Sequence, residues 1–200
     1  MHQIGILGGT FNPIHMGHIS MAEEMGHRLG LASVLLIPAL TPPHKDAPDL
    51  APADHRLQMC RLAITGHPLL CVSDIELARK GFSFTVDTLR ALHEDNPAAS
   101  LFLLMGADMF LTVQSWFCFE EITRLATLCA APRGEGSASG LQHHASMLQA
   151  THNASCIVCD CTPPPVSSSQ IREKIRNGEP IDGLLPDAVK MYIHTHSLYR

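Results

Sequence analysis

The chain has 200 residues, 14 Lys+Arg against 19 Asp+Glu and a formal net charge of −5, with 46% hydrophobic and 16% charged residues. That length and apolar content suffice for a core without disulfides or metals and exclude a disordered chain. A mildly acidic chain lacks the basic face a nucleic-acid backbone requires, and no apolar run approaches the roughly 18 residues of a membrane span.

Gln3 to Leu7 reads as a short buried strand running into the glycine turn Gly8-Gly9-Thr10. Gly17 to Leu29 has helical spacing, with Ile19, Ala22, Met25 and Leu29 near one face. Ser33 to Ile37, closed by Pro38, is a second strand. Strand, glycine turn, helix, strand is the signature of a parallel βαβ unit. Asp54 is the expected N-cap of a helix through Ile64, stopped by Gly66-His67-Pro68. Leu69 to Val72 reads as a strand, Thr85 to Glu94 as a helix, and Leu101 to Met105 as a strand leading into Gly106-Ala107-Asp108. A short helix from Phe119 to Arg124 precedes a strand from Thr127 to Ala131. Pro132 to Gly140 is Gly/Ser-rich and expected to be a loop, Leu141 to Ala150 a helix, and Ser155 to Cys161 a strand. Beyond the extended Pro163-Pro164-Pro165 connector, Ser168 to Arg176 and Pro186 to His196 read as helices, the latter with Pro in its first turn. With no internal repeat or composition break, the expectation is one domain over residues 1–200: a doubly wound, Rossmann-like and mostly parallel α/β sheet with helices on both faces. A helical part from about 166 to 200 completes it. The opening residues have no basic stretch before their apolar run, so a signal peptide is not expected and the protein reads as cytoplasmic.

Thirteen His and seven Cys raise the question of metal. Cys60, Cys71, Cys118 and Cys129 are scattered in apolar stretches, as reduced thiols would be. Cys156, Cys159 and Cys161 cluster near His143, His144 and His152, the best support for a metal-binding or redox-sensing protein. Against it, a strand there would turn Cys156 away from Cys159 and Cys161, and structural zinc sites use two paired spacings where only one is present.

The strongest local signal is Gly8-Gly9-Thr10-Phe11-Asn12-Pro13-Ile14-His15-Met16-Gly17-His18. A strand would deliver Gly8 and Gly9 to the carboxyl edge of the sheet, where missing Cβ atoms let backbone approach a ligand. His15 and His18 straddle the start of the next helix, where free N–H groups and the helix dipole favour an anion. Gly17 is expected to leave space between them for the ligand. A metal on His15 and His18 is sterically allowed, but no third ligand is near in sequence.

This string resembles the HxGH signature of nucleotidylyltransferases, which join a nucleoside monophosphate to a phosphate-bearing acceptor. Near the other end, Val166-Ser167-Ser168-Ser169-Gln170-Ile171-Arg172 resembles the second motif of that superfamily. The serines would cap a helix and Arg172 would point its fork at polyphosphate. Between them, Pro42-Pro43-His44-Lys45, His55-Arg56-Leu57-x-Met59, Glu76, Gly81-Phe82-Ser83-Phe84-Thr85-Val86-Asp87-Thr88-Leu89, Gly106-Ala107-Asp108, Trp116 and Arg133 are similar to elements of the nicotinate-nucleotide adenylyltransferase family. Tyr192-Ile193 and Leu198-Tyr199 match its C-terminal pattern. The resemblance covers essentially the whole chain and is weakest from Gly134 to Ser155. Asn12 stands where Asp is commoner, Phe84 where Tyr is, and Ser169 where Thr is. Gly134 follows Arg133 where the family has Pro.

The resemblance implies transfer of the adenylyl group of ATP to nicotinate mononucleotide. It places the ATP phosphates on Gly8, Gly9, Thr10, Phe11, His15, Gly17 and His18. His15, His18, Thr10 and Arg172 are the catalytic set. Arg172, Ser168 and Ser169 would hold the leaving pyrophosphate, and Gly106 and Asp108 the adenosine part. Asn12, His44, Lys45, Thr85, Trp116 and Arg133 fall to the acceptor. Mg²⁺ would enter on the ATP phosphates, with no protein metal cage. Nicotinamide mononucleotide and phosphopantetheine are the alternative acceptors. A phosphopantetheine or cytidylyl enzyme would lack the Pro-Pro-His-Lys and Ser-Phe-Thr-x-Asp-Thr-Leu elements. A non-catalytic nucleotide sensor would be free to lose His15, His18 and Arg172.

Overall fold

A computed structural model describes residues 2–41, 49–79, 81–132 and 137–200. Its strands are β1 (Gln3–Gly9), β2 (Ser33–Pro38), β3 (Leu70–Val72), β4 (Ser100–Gly106), β5 (Ala126–Ala131) and β6 (Cys156–Val158). The helices are α1 (Met16–Arg28), α2 (Ala53–Ala63), α3 (Ile75–Ala78), α4 (Thr85–Asp95), α5 (Ala107–Phe110), α6 (Phe119–Leu125), α7 (Ser137–His152), α8 (Ser168–Arg176) and α9 (Asp187–Thr195). The six strands lie in the order β3-β2-β1-β4-β5-β6. Every neighbouring pair is parallel. The chain winds outward from β1 to β3 and then returns to the other side with β4. This reversal leaves a crevice beyond the carboxyl ends of β1 and β4, where open α/β sheets bind ligands. Register brings Gly9 opposite Pro38 and Gly106 opposite Ala131, so the strand ends form one rim.

Apolar alternation within each strand builds two cores. Leu7, Val34, Leu36, Leu104 and Cys129 face α1, α2, α8 and α9, meeting Met25, Met59, Ile171 and Val189. Ile6, Ile37, Leu103, Met105 and Leu128 face α4 to α7, meeting Leu89, Phe110, Ile122 and Leu148. A parallel sheet is covered on both faces, so its strands read as continuous apolar runs. Each such side chain contributes about 1.5–3 kcal/mol through burial. Cys156 packs against the second core and Cys159 and Cys161 belong to the first, as strand alternation predicts.

Most boundaries shift by a residue or two from the sequence reading, and four of the differences have a physical reason. The residue capping α2 is Pro52, and Asp54 lies inside the first turn, where its charge still complements the helix dipole. Pro186 likewise occupies the N-cap of α9. The Gly/Ser-rich stretch is not loop to its end: α7 begins at Ser137, because Leu141, Ala145 and Leu148 bury one helical face and packing overrides the low propensity of Gly140. The strand expected from Ser155 to Cys161 shortens to β6, an edge strand with three ladder pairs ahead of the prolines. The short α3 and α5 had no sequence signal.

Candidate functional site

Gly8 is exposed on the rim, and a Cβ there would meet nothing within 4 Å. A Cβ on Gly106 would also enter open space. Backbone at the ends of β1 and β4 therefore faces the crevice directly. Thr10 leaves β1, and Phe11 turns the chain with a left-handed φ of 47° and its ring buried. The Asn12–Pro13 peptide is cis. His15 is the N-cap of α1.

The imidazoles of His15 and His18 stack with centroids 3.7 Å apart and planes 24° apart. Phe11 buttresses His18 edge-on at 5.0 Å. The backbone N–H of His15 donates to Nδ1 of His18 at 3.3 Å. A neutral ring that accepts at Nδ1 carries its proton on Nε2, so this bond fixes the His18 tautomer. Gly17 serves a different need from the one expected. A Cβ there would lie 3.0 Å from the Pro164 carbonyl and 3.1 Å from the His15 ring, so the missing atom admits the proline connector and the imidazole.

The second motif closes on the first. Ser167 caps α8, accepting from the Gln170 N–H. Ser168 Oγ donates to the Pro13 carbonyl at 2.8 Å, and Arg172 Nη1 to the Asn12 carbonyl at 2.8 Å. Ser169 is exposed beside Arg172, its Oγ 3.5 Å from Nη2. Among the described residues, Nε of Arg172 is buried without a hydrogen-bond partner. Residues 160 apart in sequence thus share one rim.

Asn12, read from sequence as an acceptor contact, is 4% exposed. Its amide N–H donates to the Asp49 carbonyl, while Oδ1 accepts from the Ala51 N–H and the Tyr199 hydroxyl. The donated bond needs an amide, since an ionised Asp has only acceptors. This accounts for Asn at a position where Asp is commoner. Arg56 is 1% exposed and donates to the carbonyls of Thr10, Ala39, Leu40 and Ala51, its burial lowering its pKa. Neither Arg56 nor Tyr199 was assigned a role from sequence. Arg56 left a trace: with Met59, Cys60 and Ala63 it occupies the apolar stripe of α2, a lone cation where a hydrophobe belongs.

Across the crevice, Asp108 is exposed on the first turn of α5. Thr85 opens α4 after Phe84, and Trp116 is half-buried behind a 3₁₀ turn, Val113–Ser115. The rings of Phe84 and Phe117, 4.7 Å apart, hold these two segments together. Glu76 lies buried beneath, accepting from the Thr88 hydroxyl at 2.7 Å. His44, Lys45 and Arg133 lie outside the described residues.

Among the described residues no three His, Cys, Asp or Glu gather as metal ligands. Burial holds Cys161 up at about 11 and raises Cys156 and Cys159, which keeps these thiols protonated rather than as ligand thiolates. Among them too, no helix is long and apolar enough to cross a membrane.

The family model described as cytidylyltransferase-like matches residues 6–174. A protein of Roseiflexus sp. named probable nicotinate-nucleotide adenylyltransferase is 41% identical over 197 residues, 98% of each chain. A Dehalococcoides mccartyi protein of the same name is 39% identical over 196 residues, 98% of this chain and 96% of that one. The structure of Plasmodium falciparum nicotinic acid mononucleotide adenylyltransferase complexed with NaAD superposes with a TM-score of 0.81 at 18% identity, covering 100% of this chain and 98% of that one, a likeness of fold. With both motifs on one rim and relatives of this similarity along its whole length, the chain belongs to the cytidylyltransferase-like family and, within it, to the nicotinate-nucleotide adenylyltransferases.

Proposed function

We propose that this protein transfers the adenylyl group of ATP to nicotinate mononucleotide, giving deamido-NAD and pyrophosphate. The observation that carries the reading is the stacked His15–His18 pair at the start of α1, on the same rim as Arg172 and the capped start of α8. A phosphate oxygen of the acceptor attacks the α-phosphorus of ATP in line. The bond from that phosphorus to the bridging oxygen breaks, and pyrophosphate leaves with the electron pair. The nucleophile is already an anion, so the protein contributes position and charge neutralisation rather than a strong base.

In this reading Gly8, Gly9, Thr10 and Phe11 give backbone to the phosphates, and Gly17 lets His15 and His18 close on them. Arg172, with Ser168 and Ser169, stabilises the pyrophosphate. Gly106 and Asp108 meet the adenosine. Thr85 and Trp116 take the pyridine end, and the cations of His44, Lys45 and Arg133 take the acceptor's charge. Asn12 supports the acceptor side through the Asp49–Ala51 segment. Mg²⁺, carried in on the ATP phosphates, would offset phosphate charge beside His15, His18 and Arg172. We take residues 1–200 as one such domain and place it in the cytoplasm, where ATP and pyridine nucleotides are its substrates.

The test is a product-separating assay with nicotinate and nicotinamide mononucleotide as competing acceptors. The expected result is a clear preference for the acid. Equal efficiency makes the enzyme dual in specificity, and no transfer to either overturns the reading.

A further inference from the structure

Among the described residues, Arg56 is the largest fully buried side chain, and none of the four acceptors it reaches there is a carboxylate. Removing a cation from water is costly, and carbonyl dipoles offset only part of that cost. Packing alone would be served better by a hydrophobe, as at Met59 and Cys60 on the same face.

The positions of the four carbonyls supply the reason. Thr10, bonded to Nη1 at 2.8 Å, ends the glycine turn of the phosphate side. Its carbonyl is drawn inward, so in a trans peptide the Phe11 N–H points to the opposite side. Ala39 and Leu40, at 2.6 and 3.2 Å, follow β2. The Leu40 N–H donates to Ser83 Oγ at 2.9 Å, and the Ser83 N–H to the Thr41 carbonyl at 3.1 Å. Ser83 lies two residues before Thr85, where α4 begins. A continuous hydrogen-bonded chain, Thr10–Arg56–Leu40–Ser83, therefore runs from the phosphate half of the rim to the acceptor half.

We infer that Arg56 is a positioning residue whose fork sets the register between the two half-sites, fixing the in-line approach of acceptor to ATP. This rests on the adenylyl-transfer reading above. In-line displacement is sensitive to such register, since a misplacement of about 1 Å can lower a rate about a hundredfold while each substrate still binds.

The experiment compares wild type, Arg56→Lys, Ser83→Ala and the double variant. Measurements are the ATP and nicotinate mononucleotide Kd values by calorimetry, kcat per folded molecule, and Tm. Lysine keeps the charge but cannot hold four carbonyls in the planar fork. Expected for Arg56→Lys is a kcat lower by about a hundredfold with both Kd values within about threefold. Ser83→Ala lowers kcat by about tenfold, and the double variant matches Arg56→Lys, because both act on one chain. Wild-type turnover tests the reaction, and the ratio of variant to wild-type turnover tests the inference. A purely structural Arg56 would lower Tm with kcat per folded molecule within twofold of wild type, or give multiplying losses in the double variant. Either result overturns the inference. If Arg56→Lys does not fold, Ser83→Ala decides alone: an unchanged kcat overturns the inference and a loss at constant Kd supports it.

Discussion

On the side of β1, α1 and α8, polar groups are buried and bonded to one another. Asn12 ties the phosphate turn to Asp49, Ala51 and Tyr199, Arg56 gathers four carbonyls, and Arg172 and Ser168 hold the turn from the far end of the chain. On the side of α4, α5 and α6, the rim is apolar and open. Phe82 and Phe117 are 57% and 56% exposed, Met109 and Leu111 are exposed as well, and Trp116 is half-buried. The contrast fits the roles proposed for the two halves. A polyphosphate carries fixed charge, and donors aimed at it in advance avoid reorganisation when charge shifts. A flat pyridine ring is held largely by contact area, which an aromatic surface supplies on binding.

The comparison is broken most severely at His18. His18→Ala removes the oriented Nε2 donor and the stacking partner of His15. The expected loss in kcat is about 10²–10³-fold, the scale of a single transition-state donor, with little change in Tm because His18 is only half-buried. Steady-state kinetics and a melting curve check this, and near-wild-type turnover would contradict the assignment of the phosphate half. On the open half, Trp116→Ala is expected to raise KM for nicotinate mononucleotide by about tenfold, with ATP affinity kept. An equal loss for both substrates would show that the halves are not separable.

The smallest effect concerns Glu76, the buried carboxyl of the acceptor half. Burial raises its pKa above the ordinary 4.5, while hydrogen bonds from Thr88 and Ser83 and the nearby Arg79 pull the other way. With the folded pKa above the unfolded one, the native state holds the proton more tightly, so this group's contribution falls as pH rises through that window. Gln keeps the acceptor for Thr88 and removes the ionisation. The Tm of wild type minus that of Glu76→Gln is therefore expected to fall as pH rises from about 4 towards neutrality. A flat difference would mean that Glu76 is not ionising in its buried site.

Much of this was legible in the chain. Val34-Leu35-Leu36-Ile37 and Leu101 to Met105 could only be covered strands, and the spacing of Ile19, Ala22 and Met25 set the buried face of α1. Gly8 to His18 marked the turn between β1 and α1, because its glycines and imidazoles are contiguous. The supporting shell was not legible. Asn12 read as a ligand contact since nothing local reveals that Ala51, Asp49 and Tyr199 converge on it. Arg56 read as one letter of a pattern, and Gly17 as room for substrate rather than for the Pro164 carbonyl.

The sequence by itself determined the alternation of elements, the two-sided burial of the strands and the residue types set at the start of α1, because these depend on local periodicity and on contiguous residues. Only the tertiary structure decided which polar groups meet. Arg172 reaches Asn12 across 160 residues and Tyr199 reaches it across 187, because the segment after β6 returns to pack α8 and α9 on the α1 and α2 face of the sheet. A buried polar group must find its partner wherever the fold brings one, and that partner has no fixed offset in sequence.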